Sequence, residues 1–253
     1  MQHRNHWYKT LLTSLLLIGA LSSYGTEITS SIESAVNNPA RLEVDTKRDA
    51  GRKPAQILQF STIKSGDSVL DLFAGAGYYS ELISRLVGDE GKVISHNNKA
   101  YIDYLAEAAN THYADNRLPN VQRIVTEANS LTLEDDSIDV AMLILTFHDF
   151  YYTSEGWKKI DVADLLSRIK HALKDDGKVI IVDHMAVSGS GEEMGSTLHR
   201  IDPAIVKAKM SEAGFKLVEE ADFLINPDDP LTISMGDPKI RGNTSRFILK
   251  YKK

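Results

Sequence analysis

Apolar residues in this chain fall into short runs that alternate with amphipathic stretches. Residues 69–73 are apolar except for Asp71 and carry no helical period, as in a central parallel strand buried on both faces. Residues 78–87 follow with helical spacing and stop at Gly88. A second strand is predicted at 92–96, a helix at 98–113, and a third strand at 121–125 after the Pro119-Asn120 turn. The strongest strand covers 138–145, and an amphipathic helix covers 161–173. Asp175-Asp176-Gly177 then reads as a turn into a strand at 178–182. Pro203 opens a helix that runs to Ala213 and stops at Gly214, and two further strands are predicted at 215–223 and 245–251. Residues 27–61 read as helical. Strands alternating with helices predict an α/β, doubly wound, mostly parallel sheet with helices on both faces.

The N-terminus has a different pattern. Arg4 and Lys9 precede an apolar run at 11–21, followed by small residues, as in a secretory leader cleaved after Gly25. That run is about half of the roughly 20 residues a membrane span needs. The expected organisation is a leader at 1–25, a helical segment at 26–60 and the main domain at 61–253. The mature chain is expected to be periplasmic or secreted and to keep no stable membrane span; the alternative is a membrane anchor formed by an uncleaved leader. The absence of cysteine excludes disulfides and thiolate metal sites. A net charge of −6 gives no footprint for nucleic acid. The basic cluster Lys47, Arg48, Arg52 and Lys53 also contains Asp49, and reads as a solvated helix face.

In an open α/β sheet, ligands bind beyond the carboxyl ends of the strands, where strand order reverses. Those exits here are residues 71–77, Asn97, Glu127-Ala128, 146–152 and Asp183-His184. In the first of them, Asp71 precedes Ala74, Gly75 and Gly77. The two glycines can take positive φ and bring bare main chain against a ligand, beside the free N–H groups of the next helix.

These residues carry a resemblance. Residues 71–77, Glu127-Ala128 with Leu131 and 135–140, and 173–179 together resemble the motifs of class I S-adenosylmethionine-dependent methyltransferases, over roughly 56–253. Residues 189–191, 198–202 and 241–244 are further similar to a little-characterised bacterial subgroup of predicted methyltransferases. The resemblance implies a Rossmann-like, seven-stranded methyltransferase fold, S-adenosylmethionine as cofactor, and a small-molecule methyl acceptor. It implies cofactor contacts at Asp71, Ala74, Gly75, Gly77, Asn97, Glu127, Ala128 and Thr146. Two positions depart from the family pattern. Phe73 stands where glycine is usual, and Asn97 stands where a carboxylate usually accepts the ribose hydroxyls; an amide lacks that charge.

Methyl transfer from a sulfonium needs the two reactants held in line, and a base only when the acceptor carries a proton. His148, beside Asp149 at the exit of the strongest strand, is the first candidate for that base; loop capping is the competing role. Asp149 would orient it or bind an amine. Tyr151, Tyr152, His184, His199 and Arg200 are candidate acceptor contacts, although each arginine has many carboxylates to pair with. No metal is expected, because His148, Asp149, Asp183, His184 and His199 show no local ligand spacing. Nicotinamide chemistry is disfavoured, since Ser80 occupies the third position of a Gly-x-Gly-x-x-Gly pattern. The alternative to an enzyme is an exported, catalytically degenerate member of the fold that binds a nucleoside, a metabolite or a protein partner.

Overall fold

Alternate residues of the central strands enter two separate cores. In β1 (Ser68–Leu72), Leu70 and Leu72 join one core while Val69 joins the other, and β4 (Ile138–Ile144) and the strand after it divide in the same way. The computed structural model describes residues 30–253; the predicted leader and its cleavage point lie outside them. Seven strands form one sheet in the order β3-β2-β1-β4-β5-β7-β6, with β2 at Lys92–Asn97, β3 at Val121–Val125, β5 at Leu173–His184, β6 at Lys216–Ala221 and β7 at Arg246–Lys252. β1 pairs in parallel with β2 and β4, so the order reverses between them; β7 runs antiparallel to both its neighbours.

Helix α1 (Pro54–Ser61) and α2 (Tyr78–Val87) bury Ile57, Leu58, Leu82 and Ile83 in one core. Helix α4 (Val162–Ala172) and α5 (Pro203–Glu212) bury Leu165, Ile169, Val206 and Met210 in the other. Helix α3 (Lys99–Tyr113) is capped by Asn98, whose side chain accepts from the Tyr101 N–H. Asp161 and Asp202 cap α4 and α5 in the same manner.

The described part of the segment before β1 is helical in pieces, with turns at 30–36, Glu43–Thr46 and Asp49–Arg52 followed by α1. Lys53 takes φ +47 and Pro54 lacks an N–H, which together break the run. The turn at 175–177 lies inside β5 as an outward bulge: Leu173 pairs with Ile138 and Lys178 with Val140, so five steps of β5 oppose two of β4. The described residues contain no helix long and apolar enough to cross a membrane.

The chain after β5 returns across the carboxyl edge and is pinned there by Arg200. Its guanidinium binds Asp229 through two hydrogen bonds of 2.9 Å and also donates to the Met185 and Ile233 carbonyls, with both side chains fully buried. Removing one partner of such a pair strands a buried charge. Asp229→Ala should therefore destabilise the fold by about 3–5 kcal/mol, read as a lower urea midpoint; a change under about 1 kcal/mol would show that the pair does not pin this segment.

Candidate functional site

Three non-glycine residues at the carboxyl edge adopt the left-handed region: Phe73 after β1 (φ +51), Leu145 after β4 (φ +61) and His199 on the returning segment (φ +50). Each such residue costs about 1–3 kcal/mol, and such strain gathers at functional sites. Here it turns the chain sharply as it leaves the sheet.

In the loop between β1 and α2, Gly75 (φ +62) and Gly77 (φ +114) take conformations that L side chains avoid. A Cβ on Gly77 would lie 2.7 Å from the Tyr113 hydroxyl, so this glycine is needed for packing as well. Asn97, at the end of β2, clamps the loop. Its Oδ1 accepts from the Gly75 N–H at 2.9 Å and its Nδ2 donates to the Gly75 carbonyl at 3.0 Å. A carboxylate could accept the first bond but not supply the second, which is a physical reason for an amide at this position. Below the loop, Asp71 accepts from the Ser80 hydroxyl at 2.7 Å, and Ser80 connects through Ser95 to Tyr113. Burial pushes the Asp71 carboxyl up to about 7, against the pull of its bonds to Ser80.

Phe73 is buried, with its ring stacked on Trp157 at 5.9 Å and edge-on to His96 at 5.3 Å. Tyr101 and Phe150 complete this aromatic floor. Burial depresses the His96 imidazole to about 4, so the ring is neutral and donates through Nε2 to the Thr126 carbonyl. His96 Nδ1, Thr146 Oγ1 and Trp157 Nε1 are buried polar atoms that have no hydrogen-bond partner within the protein. They give the crevice unspent donors and acceptors.

Beyond β4 and β5 lies a histidine–carboxylate cluster. Asp183 accepts from the His148 N–H at 2.8 Å, the His184 N–H at 2.7 Å and the His148 ring Nδ1 at 2.7 Å. His148 Nε2 lies 3.2 Å from Asp149 Oδ1, and His199 Nδ1 lies 3.6 Å from the same oxygen. Burial alone would lower the His148 pKa, but the two carboxylates outweigh it and hold it well above the usual imidazole range. Burial likewise opposes ionisation of Asp149, and the His148 and His199 rings overcome it. Gly195 makes this convergence possible, because a Cβ there would sit 2.4 Å from the His148 carbonyl. Tyr152 packs against His199 at 4.8 Å.

The fold thus brings Asp71, Ala74, Gly75, Gly77, Asn97 and Thr146 to one edge, with His148, Asp149, His184, His199 and Tyr152 beside them. Glu127 and Ala128 form the turn after β3, and Ala128 is buried. Tyr151 packs partly against the core, and His184 bonds the Thr244 hydroxyl through Nδ1. Arg200 is not brought to the crevice; its donors are taken by Asp229 and main chain. Of the basic cluster, Lys47 and Lys53 are solvated as expected, whereas Arg48 and Arg52 are half-buried. Arg48 pairs with Asp45, while Arg48 and Arg52 lie over the Tyr78 ring at 5.0 and 4.6 Å. Sequence reasoning missed Trp157, for which no local pattern gave a signal.

A methyltransferase-domain family model matches residues 63–222. A S-adenosylmethionine-dependent methyltransferase structure from Aquifex aeolicus aligns at TM-score 0.55 and 18% identity, over 90% of this chain and 96% of its own. One from Mesorhizobium loti aligns at TM-score 0.56 and 15% identity, over 81% of this chain and 100% of its own. The [4+2]-cyclase SpnF aligns at TM-score 0.52 and 16% identity over 93% of this chain and 95% of its own, so at this distance the likeness is one of fold and not of reaction. No curated protein matches the sequence.

The raised Asp71 pKa has a stability consequence. The folded chain holds a proton on this carboxyl that the unfolded chain releases near pH 4, so its contribution is complete below that pH and is lost as pH rises to about 7. Asp71→Asn removes the titration. Relative to wild type, the variant should gain up to about 4 kcal/mol between pH 4 and pH 7 in urea unfolding, with no further change above; the opposite slope from His96 is common to both proteins and cancels. A pH-independent difference would mean that Asp71 ionises normally in the fold.

Proposed function

The chain belongs to the methyltransferase-domain family, and from that premise we propose that it transfers a methyl group from S-adenosylmethionine to a small-molecule acceptor at the carboxyl edge of its sheet. The observation that carries this reading is the Gly75–Gly77 loop, held by Asn97 in left-handed conformations at the point where strand order reverses. The residues present fit a nucleoside. Gly75 and Gly77, lacking a Cβ, would let its polar tail approach the start of α2, where the N-cap Gly77 has no side chain to cap the helix. Asp71 and Ala74 shape that loop from below and from its entry. Thr146, His96 and Trp157 offer unpartnered polar atoms, and Glu127 with Ala128 lie where the adenine end would rest.

The bound cofactor would supply a methyl group on a positively charged sulfur, which leaves without acid catalysis. The protein's part is positioning. The aromatic floor of Phe73, Tyr101, Phe150 and Trp157 keeps water from the reacting centre. On the acceptor side, His148 has carboxylates at both ring nitrogens and therefore holds Asp149 in place. The Asp149–His199 pair, with His199 30% exposed at its side chain, is the place where an acceptor hydroxyl or amine would give up its proton. Tyr152 and His184 bound the same space. Export follows from the leader-like N-terminus, with a periplasmic or secreted mature chain; retention by an uncleaved leader is the alternative, and mass spectrometry of the native N-terminus distinguishes them.

One pair of observations favours a second reading, an exported binding protein of degenerate methyltransferase fold. Asn97 is committed to the loop, and the Phe73 ring already stacks within the crevice. Titration calorimetry separates the two. Wild type should bind both S-adenosylmethionine and S-adenosylhomocysteine. Gly75→Val should abolish binding, since it forces a branched residue to φ +62 with its Cβ 3.6 Å from the Tyr101 hydroxyl. No heat with wild type at millimolar ligand would remove the methyltransferase reading and leave the binding protein. His148→Ala should lower kcat with the cofactor affinity nearly intact; unchanged turnover would take this cluster out of the reaction.

A further inference from the structure

We propose that His148, Asp149 and His199 bind one divalent transition-metal cation of the zinc class, with Asp183 as the outer carboxylate. The ligand atoms are His148 Nε2, Asp149 Oδ1 and His199 Nδ1, which lie within 4.8 Å of one another. Their spacing matches the chemistry. Metal bonds of about 2.0–2.1 Å in a tetrahedron put neighbouring ligand atoms roughly 3.3 Å apart, and the two separations that involve Asp149 are 3.2 and 3.6 Å. The longer one is not a hydrogen bond.

The outer partner strengthens the assignment. Asp183 engages His148 through Nδ1, which fixes the tautomer with Nε2 on the side of Asp149. This is the carboxylate–histidine–metal arrangement, in which the outer carboxylate orients the ring and raises its basicity. Asp183 is itself held by the His148 and His184 main-chain N–H groups, so the relay is rigid. Asp149 and Asp183 bring two buried carboxylates to the cluster, and a divalent cation held by neutral imidazoles balances their charge.

The donor set of two imidazoles and one carboxylate suits zinc, iron, cobalt or nickel better than magnesium or calcium. Three protein ligands leave a fourth position, and His199 is the exposed member, so that position is reached from solvent. The other close grouping of such residues, Asp45, Glu81 and His112, is an ion-pair network already served by Arg48, Arg85 and Arg117. The metal inference does not depend on methyl transfer. If an acceptor hydroxyl occupies the fourth position, the cation lowers its pKa and takes over that task from the Asp149–His199 pair.

The test uses the tag-free full chain, stripped by a chelator and titrated with Zn2+ against a chromophoric competitor, with Co2+ absorption as a second probe. Wild type should take up a single equivalent of Zn2+, show the visible bands of nitrogen- and oxygen-ligated Co2+, and melt at a higher temperature when loaded. His199→Ala and Asp149→Asn should each weaken binding more than about tenfold, and Asp183→Asn about 10–100-fold. His171→Ala, on the exposed face of α4, should leave it unchanged. His199 is partly exposed, so its variant keeps the fold and remains informative should Asp149→Asn be unstable. Absence of Zn2+ and Co2+ uptake by wild type, or full uptake by folded His199→Ala, would overturn the proposal.

Discussion

Parallel strands buried on both faces leave polar chemistry one place to go. In β1 and β4 most side chains, and in β5 those from Val179 to Val182, enter one of two apolar cores, and the residues of the site gather where these strands leave the sheet. The reversal of order between β1 and β4 parts the loops at that edge, and so fixes where a ligand can enter. Both halves of the crevice follow from this constraint. The glycine loop comes from β1, and the histidine–carboxylate cluster from β4, β5 and the segment that returns over them.

The two halves are built by different means. The loop relies on main chain held by an amide: Asn97 satisfies the N–H and the carbonyl of Gly75, which one carboxylate could not do. The cluster relies on charge. Asp183 secures His148 from one side while Asp149 faces it from the other, and the close approach at Gly195 delivers His199. Arg200, next to His199 in sequence, serves this assembly from inside the protein by gripping Asp229.

Most of the fold was legible because strand and helix periods are local. The helix at Tyr78–Val87 and the strand at Val121–Val125 fall where the pattern put them, and the caps at Asn98 and Asp161 account for the two helix starts that moved by one residue. The turn at 175–177 became a bulge because the pairing of β5 with β4, which no local signal encodes, continues past it. The site was legible only as far as strand exits reveal it. His148 and Asp149 could be singled out, whereas His199 joins them across some fifty residues through a glycine contact. Trp157 enters through tertiary packing alone, and Arg200 was misplaced because a lone arginine does not announce its partner.

The position of β7 bears on how the molecule is made. β7 lies between β5 and β6, although both precede it in the chain. Arg246 at its start also donates to the Gly51 carbonyl at 2.7 Å, bridging 195 positions. A nascent chain that has not yet emitted β7 therefore carries β5 as an open edge and β6 without a partner. Such an intermediate invites pairing with other chains, so any delay before β7 is made is when this protein is most open to aggregation.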